Sequence, residues 1–271
     1  MPSIAERDTT KLLLAGDPEP VERVNLQGGS AIFLTCEHAG RAVPSALGDL
    51  GVASDEMDRH IAYDVGAEGL AHALSERLGS ALVLQRYSRL VIDCNRPFEA
   101  DDCVVLRSDG TRVPANADLG ESDRLRRYAE IHEPLHEAIK VALDERQAAG
   151  RPTVLVSVHS FTPVMRSTGA VRDFELGLLY NRDGRFARHL AEAFAAANPD
   201  SSVRLNEPYV VDDQSDYTIP VHGERRGLPH VLIEVRNDLI TDARGQQEWA
   251  DRLAEPLRRA ADMLKETTYG R

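Results

Sequence analysis

The chain has 271 residues, 42% of them hydrophobic and 28% charged, which suits one α/β domain and excludes collagen-like, coiled-coil and largely disordered chains. Its 44 Asp and Glu against 32 Lys and Arg give a formal net charge of −12. That argues against a general binder of nucleic acid or anionic membrane, but leaves room for a small anionic substrate met by a few arginines. No apolar run approaches the roughly 18 residues of a membrane helix. The start of the chain, with acids on both sides of a short LLLA core, does not read as a signal peptide. Cys36, Cys94 and Cys103 form no CxxC pair, which points away from a disulfide framework and towards the reducing cytoplasm.

Residues 1–30 read as a peripheral segment, an initial helix and then a loop through Gly28-Gly29. AIFLTC (31–36) is a continuous apolar run of the kind buried on both faces of a sheet. Residues 55–78 carry a helical pattern at Ile61, Val65, Leu70, Leu74 and Leu78, stopped by Gly79. ALVLQ (81–85) and LVIDC (90–94) read as two strands, followed by an irregular, acidic stretch over 97–120. A long helix is expected over 122–149, then strands TVLVSV (153–158) and ELGLLY (175–180), an amphipathic helix over 186–197, the strand VLIEV (231–235) and a last helix over 246–266. Strands alternating with helices predict a three-layer α/β/α fold with a mixed, mainly parallel sheet in one domain spanning 1–271.

Ligands in such sheets collect at the carboxyl ends of strands. Here those ends deliver Glu37-His38, Asn95-Arg96, His159-Ser160 and Glu234-Val235-Arg236. Two imidazoles, carboxylates and arginines converging there suit a hydrolytic zinc site, with three protein ligands, one open position and a spare carboxylate to carry the proton. Glu234 stands out, because a carboxylate inside an apolar strand needs a partner or a function, and an ion pair with Arg236 is the plainer alternative. His132-Glu133-Pro134-Leu135-His136 matches HExxH, but an interior proline costs a helix about 3 kcal/mol. Pro134 is comfortable only in a first turn, so the pair is expected at a helix surface or pocket edge, not on zinc. No phosphate loop and no GxSxG elbow is present, and Cys36 reads as a small core residue rather than a nucleophile. Arg225-Arg226 are either solvated surface or contacts for an anionic substrate.

Seven blocks resemble the N-formylglutamate amidohydrolase (N-formylglutamate deformylase) family: TCEHAGRAVP (35–44), HIAYDVGA (60–67), YSRLVIDCNRP (87–97), SVHSFTP (157–163), FELGLLYN (174–181), NEPY (206–209) and IPVHGERRGLPHVLIEVRND (219–238). The spelling AYDVGA resembles the branch of predicted N-formylglutamate amidohydrolases, where the histidine-degradation enzyme reads more like DWH. The resemblance implies a phosphorylase/hydrolase-like fold similar to zinc carboxypeptidases, and one Zn2+ held by His38, His159 and a carboxylate. The carboxypeptidase spacing would put that acid at Arg41, so it must come from elsewhere: Asp64 is expected, with Glu37 and Asp58 as competitors. By the same resemblance Glu234 is the catalytic acid–base and Asn95 and Arg96 hold a substrate carboxylate. Tyr217 would be a substrate-binding tyrosine, Arg89 would stabilise the oxyanion, and Arg225, Arg226 or Arg236 would meet a γ-carboxylate. The implied partner is a small N-acyl amino acid. The implied reaction is hydrolysis of N-formyl-L-glutamate or a similar compound to formate, or another carboxylate, and the free amino acid. A carboxypeptidase-like amidase on another substrate and a non-catalytic carboxylate binder are the alternatives.

Overall fold

The computed structural model describes residues 11–269. In chain order the elements are β1 (Val21–Val24), β2 (Ile32–Cys36), α1 (Ala67–Leu78), β3 (Ala81–Gln85), β4 (Arg107–Ser108) and β5 (Thr111–Arg112), then α2 (Glu121–Arg127) and α3 (Glu133–Ala148). After these come β6 (Val154–Phe161), β7 (Leu176–Leu179), α4 (Arg185–Ala197), β8 (Val203–Leu205), β9 (His230–Arg236) and α5 (Ala243–Tyr269). Among the described residues, seven strands form one sheet in the order β1-β3-β2-β6-β9-β7-β8, and β4 and β5 form a separate ribbon. Strands β3, β2, β6 and β9 run parallel, as do β7 and β8, while β1 lies antiparallel to β3 and β7 antiparallel to β9. This is the expected mixed, mainly parallel sheet.

Period-two alternation divides the core in two. Ile32, Leu34, Val156, Val158, Ile233 and Val235 face α1, α4 and α5. Phe33, Val83, Leu155 and Leu232 face α3 and the loops around it. Each buried aliphatic side chain contributes about 1.5–3 kcal/mol, so both layers hold the sheet rigid beneath the site. No helix among the described residues is long and apolar enough to cross a membrane.

Several elements depart from expectation, each for a local reason. Residues 1–10, where most of the expected initial helix falls, lie outside the described residues. The segment through residue 30 instead contributes the edge strand β1. The helix expected over 55–78 begins only at Ala67, because Gly66 takes a left-handed φ of +80° and a Cβ there would meet the Ile240 carbonyl oxygen at 2.1 Å. LVIDC (90–94) is not a strand. It is a buried turn whose Leu90 and Val91 carbonyls accept from Asn116 Nδ2 and Arg127 Nη1, at 2.9 and 2.7 Å, in place of a sheet neighbour. A fully buried apolar run looks the same either way from its spacing. The helix expected over 122–149 is interrupted by a π-helical turn at Tyr128–His132, which places Pro134 in the first turn of α3.

Candidate active site

Strands β2 and β6 are neighbours, and the chain leaves them towards opposite edges of the sheet: β2 continues through α1 to β3 on one side, and β6 continues to β7, beyond β9, on the other. The carboxyl ends of these strands therefore open a crevice at a topological switch point. Thr35 pairs with Ser157, His159 with Glu234, and Glu234 with Gly177, so the pleat carries Ser157, His159 and Glu234 on the α3 side. Glu37 and His38 follow directly after β2. Asp64 comes from the turn before α1, pinned by its backbone N–H donating to the His38 carbonyl at 2.9 Å.

Three side-chain atoms from these elements face one another: His38 Nδ1 lies 3.2 Å from His159 Nδ1 and 3.5 Å from Asp64 Oδ2, and His159 Nδ1 lies 2.7 Å from Asp64 Oδ2. All three residues are buried. The outer nitrogens are committed elsewhere. His38 Nε2–H donates to Asp93 Oδ1 at 2.6 Å, and His159 Nε2–H to Glu37 Oε2 at 2.9 Å, with the Ser157 hydroxyl donating to the same Glu37 oxygen at 2.6 Å. Carboxylates on the outer nitrogens fix both tautomers, as they do around bound metals, and turn both Nδ1 lone pairs towards Asp64. Three acceptors this close repel unless a proton or a cation lies among them. Two imidazole nitrogens and one carboxylate oxygen are the donor set of catalytic zinc sites. Ligands at about 2.0–2.1 Å from a tetrahedral ion stand about 3.3 Å apart, and the three observed separations bracket that value. The residues fit a divalent cation.

Without a cation the same geometry binds a proton. Burial opposes charge on His159, but Asp64 and Glu37 accept from its two nitrogens and hold its pKa well above the usual value. Burial likewise opposes ionisation of Glu37, Asp64 and Asp93, and is outweighed in each. For Glu37 the largest opposing cause is the His159 hydrogen bond, for Asp64 the neighbouring His38 ring and then the His159 hydrogen bond, and for Asp93 the Arg89 charge. Glu234 is the exception: burial pushes its pKa up to about 8, and its Oε2 is among the buried oxygens without a hydrogen-bond partner.

Glu234, His38 and His159 line one cavity of about 320 Å³ together with Arg89, Asn95, Arg96 and Tyr209. Arg89 donates through Nε and Nη2 to Asp93 Oδ2, at 3.1 and 2.7 Å, and through Nη1 to Asp64 Oδ1 at 3.3 Å, so it braces two carboxylates while facing the cavity. Asn95 Nδ2 donates to Asp216 at 3.1 Å, and its Oδ1 accepts from the backbone of Tyr217 and Thr218. Arg96 is tied by Nε to Asp102 at 2.8 Å and by Nη1 to the Ser215 carbonyl.

The structure thus brings together His38, Asp64, His159, Glu234, Arg89, Asn95 and Arg96. It places the remaining candidates elsewhere. Tyr217 does not line the cavity. Its ring packs on those of His132 and His136, at 5.1 and 4.3 Å, while Tyr209 lines the cavity and accepts from Arg172 at 3.0 Å. Arg225 is exposed, Arg226 pairs with Asp144 and Arg236 with Asp238, and none of the three lines the cavity. Asp58 pairs with the exposed Arg41, and Glu37 sits behind His159 rather than beside its Nδ1. Cys36 is buried in the core. His132 and His136 are also buried, not on a helix surface, and their Nε2 atoms donate to the Arg96 and Cys94 carbonyls at 2.9 and 2.7 Å. Sequence reasoning missed Asp93 and Tyr209, although both lie in the blocks quoted above, IDCNRP and NEPY. Asp109 and Asp216, which also line the cavity, carry no such signal.

The model of the N-formylglutamate amidohydrolase family matches residues 30–241. The crystal structure of a gene product of Agrobacterium tumefaciens is 36% identical, covers 94% of this chain and 100% of its own, and superposes with a TM-score of 0.90. An N-formylglutamate amidohydrolase of Ralstonia eutropha, 17% identical over 92% of this chain and 100% of its own, shares the fold at a TM-score of 0.67. Comparison with the curated proteins gave no match.

Proposed function

The chain belongs to the N-formylglutamate amidohydrolase family, and from that premise we propose that it is a zinc-dependent hydrolase of the amide bond in a small N-acyl amino acid. The products are formate, or another carboxylate, and the free amino acid. The observation that carries this reading is the convergence of His38 Nδ1, Asp64 Oδ2 and His159 Nδ1 beside Glu234 in one cavity. One Zn2+ held by those three atoms would act as a Lewis acid and bring a water into its reactive range near neutral pH.

The protein's own groups do the rest. Glu234 takes a proton from the attacking water and passes it to the departing amine nitrogen. Arg89, fixed by Asp93 and Asp64, donates to the oxyanion that develops on the carbonyl. Arg96, held by Asp102 and the Ser215 carbonyl, offers Nη2 to the α-carboxylate, and Asn95 holds the Tyr217-Thr218 backbone and Asp216 beside it. Tyr209, whose hydroxyl accepts from Arg172, forms part of the cavity wall with Glu234. The chain is read as one domain, with β1 its peripheral edge, and its three buried free thiols suit the cytoplasm.

The side chain of the substrate divides two readings. N-formyl-L-glutamate needs a cation for its γ-carboxylate, and Arg225, Arg226 and Arg236 lie outside the cavity, whereas Asp109 and Asp216 line it. That favours an N-acyl amino acid whose side chain is not an acid. The test is carboxylic acid release from a panel of N-formyl and N-acetyl amino acids, using metal-depleted and zinc-reloaded protein. Activity that returns with about one equivalent of zinc is expected. Equal activity in the depleted protein, or none on any member of the panel, would sink the reading.

A further inference from the structure

The buried loop over 90–96 pairs with no strand among the described residues, yet it carries Asp93, Asn95 and Arg96 into the site. Its backbone is held by side chains from the helical segment spanning α2 and α3. Arg127 Nη1 donates to the Val91 carbonyl at 2.7 Å, His136 Nε2 to the Cys94 carbonyl at 2.7 Å and His132 Nε2 to the Arg96 carbonyl at 2.9 Å. The two histidines therefore grip the Cys94–Asn95 and Arg96–Pro97 peptide groups. The π turn at Tyr128–His132 lies between Arg127 and α3 and lets all three side chains follow one loop. Rings pack around the pair: Tyr128 stacks 4.6 Å from His132, Tyr217 lies tilted 4.3 Å from His136, and the two imidazoles are 4.5 Å apart. His222 Nε2–H donates to His136 Nδ1 at 3.1 Å, which leaves His136 Nε2 as the proton-bearing nitrogen that faces the carbonyl.

We propose that His132 and His136 are positioning residues that clamp the Cys94 and Arg96 carbonyls and so set the placement of Asp93, behind the ligand His38, and of Arg96, in the cavity wall. The HExxH spelling thus serves a peptide clamp one helical turn long, not a second metal site. Its consequence for turnover rests on the amidohydrolase reading; its consequence for the loop does not.

The experiment uses His132→Phe and His136→Phe, which keep a stacking ring and lose the donor, beside His132→Gln and His136→Gln, which keep a donor. Outer-shell partners of metal ligands typically change affinity or activity by about 10–100-fold. His136→Phe, next to Asp93, is expected to lower zinc affinity and kcat by about that factor, with KM little changed. His132→Phe is expected to raise KM about tenfold through Arg96. Each Gln variant should recover to within about threefold of wild type. General loosening of the fold would move both Phe variants alike. In the metal-depleted protein, native-state hydrogen exchange at the Asn95 and Arg96 amides should quicken about tenfold in the Phe variants and not in the Gln variants. Exchange, zinc affinity, kcat and KM within twofold of wild type in a folded Phe variant would overturn the clamp. So would a Gln variant as impaired as its Phe counterpart. If a Phe variant does not fold, the Gln variant decides: recovery supports the clamp, and a tenfold loss overturns it. A wild-type protein inactive on every acyl amino acid would remove the proposed function, while the exchange rates would still judge the clamp.

Discussion

Replacing Glu234 by Gln separates the role of this residue in turnover from its cost to the fold, because the two move in opposite directions. In the metal-depleted protein its carboxyl is buried and titrates at about 8, against an ordinary value of 4.5. Between those two values the folded state holds a proton that the unfolded chain has released, so stability falls as pH rises from about 4.5 to about 8. At pH 7 the accumulated cost is about 3 kcal/mol, taking 1.36 kcal/mol per tenfold change in proton binding. Glutamine has no charge to lose, so Glu234→Gln should unfold several degrees higher than wild type at pH 7, and the gain should shrink towards zero near pH 4.5. Turnover should fall by about 10²–10⁴, the usual contribution of a positioned acid–base group, or about 3–5 kcal/mol of transition-state stabilisation. The assays are thermal unfolding of the metal-depleted proteins across pH and carboxylate release by the zinc-loaded ones at equal metal content. Near-normal turnover would refute the proton-carrier role. A lower melting temperature that does not depend on pH would refute the claim that Glu234 is an uncompensated buried acid.

Asp64→Asn should leave the protein folded but below one equivalent of zinc after dialysis, with turnover down a hundredfold or more; full metal content would remove Asp64 from the ligand set. Zinc must displace the proton that Asp64 and Glu37 hold on His159, whose pKa is raised. Affinity should therefore rise with pH, by about tenfold per unit below that pKa, with about one proton released per ion, measurable by calorimetry in buffers of different ionisation enthalpy. A Cβ on Gly177 would stand 2.1 Å from the Glu207 carbonyl oxygen and 3.3 Å from Glu234 Cβ. Gly177→Ala should then cost about 1–3 kcal/mol on unfolding and, by pushing Glu207 and with it Tyr209, raise KM more than it lowers kcat.

Which parts of the site could be read from the sequence follows from how each residue is positioned. His38, His159 and Glu234 sit at or near strand ends, and their strands are short apolar runs that keep one identity in any α/β context, so residue type and position together pointed to them. Asp64 was reachable only through family likeness, because its turn exists on account of Gly66 and the distant Ile240 carbonyl, and local periodicity there mimics a helix. Asp93 was hidden in LVIDC, an apolar run that looks like a strand until Asn116, Arg127 and His136 are known to take up its carbonyls. Those partners come 26 to 42 residues later, and no local pattern reports a contact of that range. The HExxH pair shows the same limit from the other side. The proline argument expected Pro134 in a first turn, where the structure has it, but burial is a property of what packs on α3, not of the spacing along it. The arginines failed for a related reason: charge marks a residue as able to meet a carboxylate, and Arg226 and Arg236 do meet carboxylates, on Asp144 and Asp238 at the surface. On the proposed function, substrate selection would rest with the loops that carry Arg96, Asp109, Tyr209 and Asp216, which are placed by tertiary contacts, and the chemistry with strand ends that the sheet holds in place.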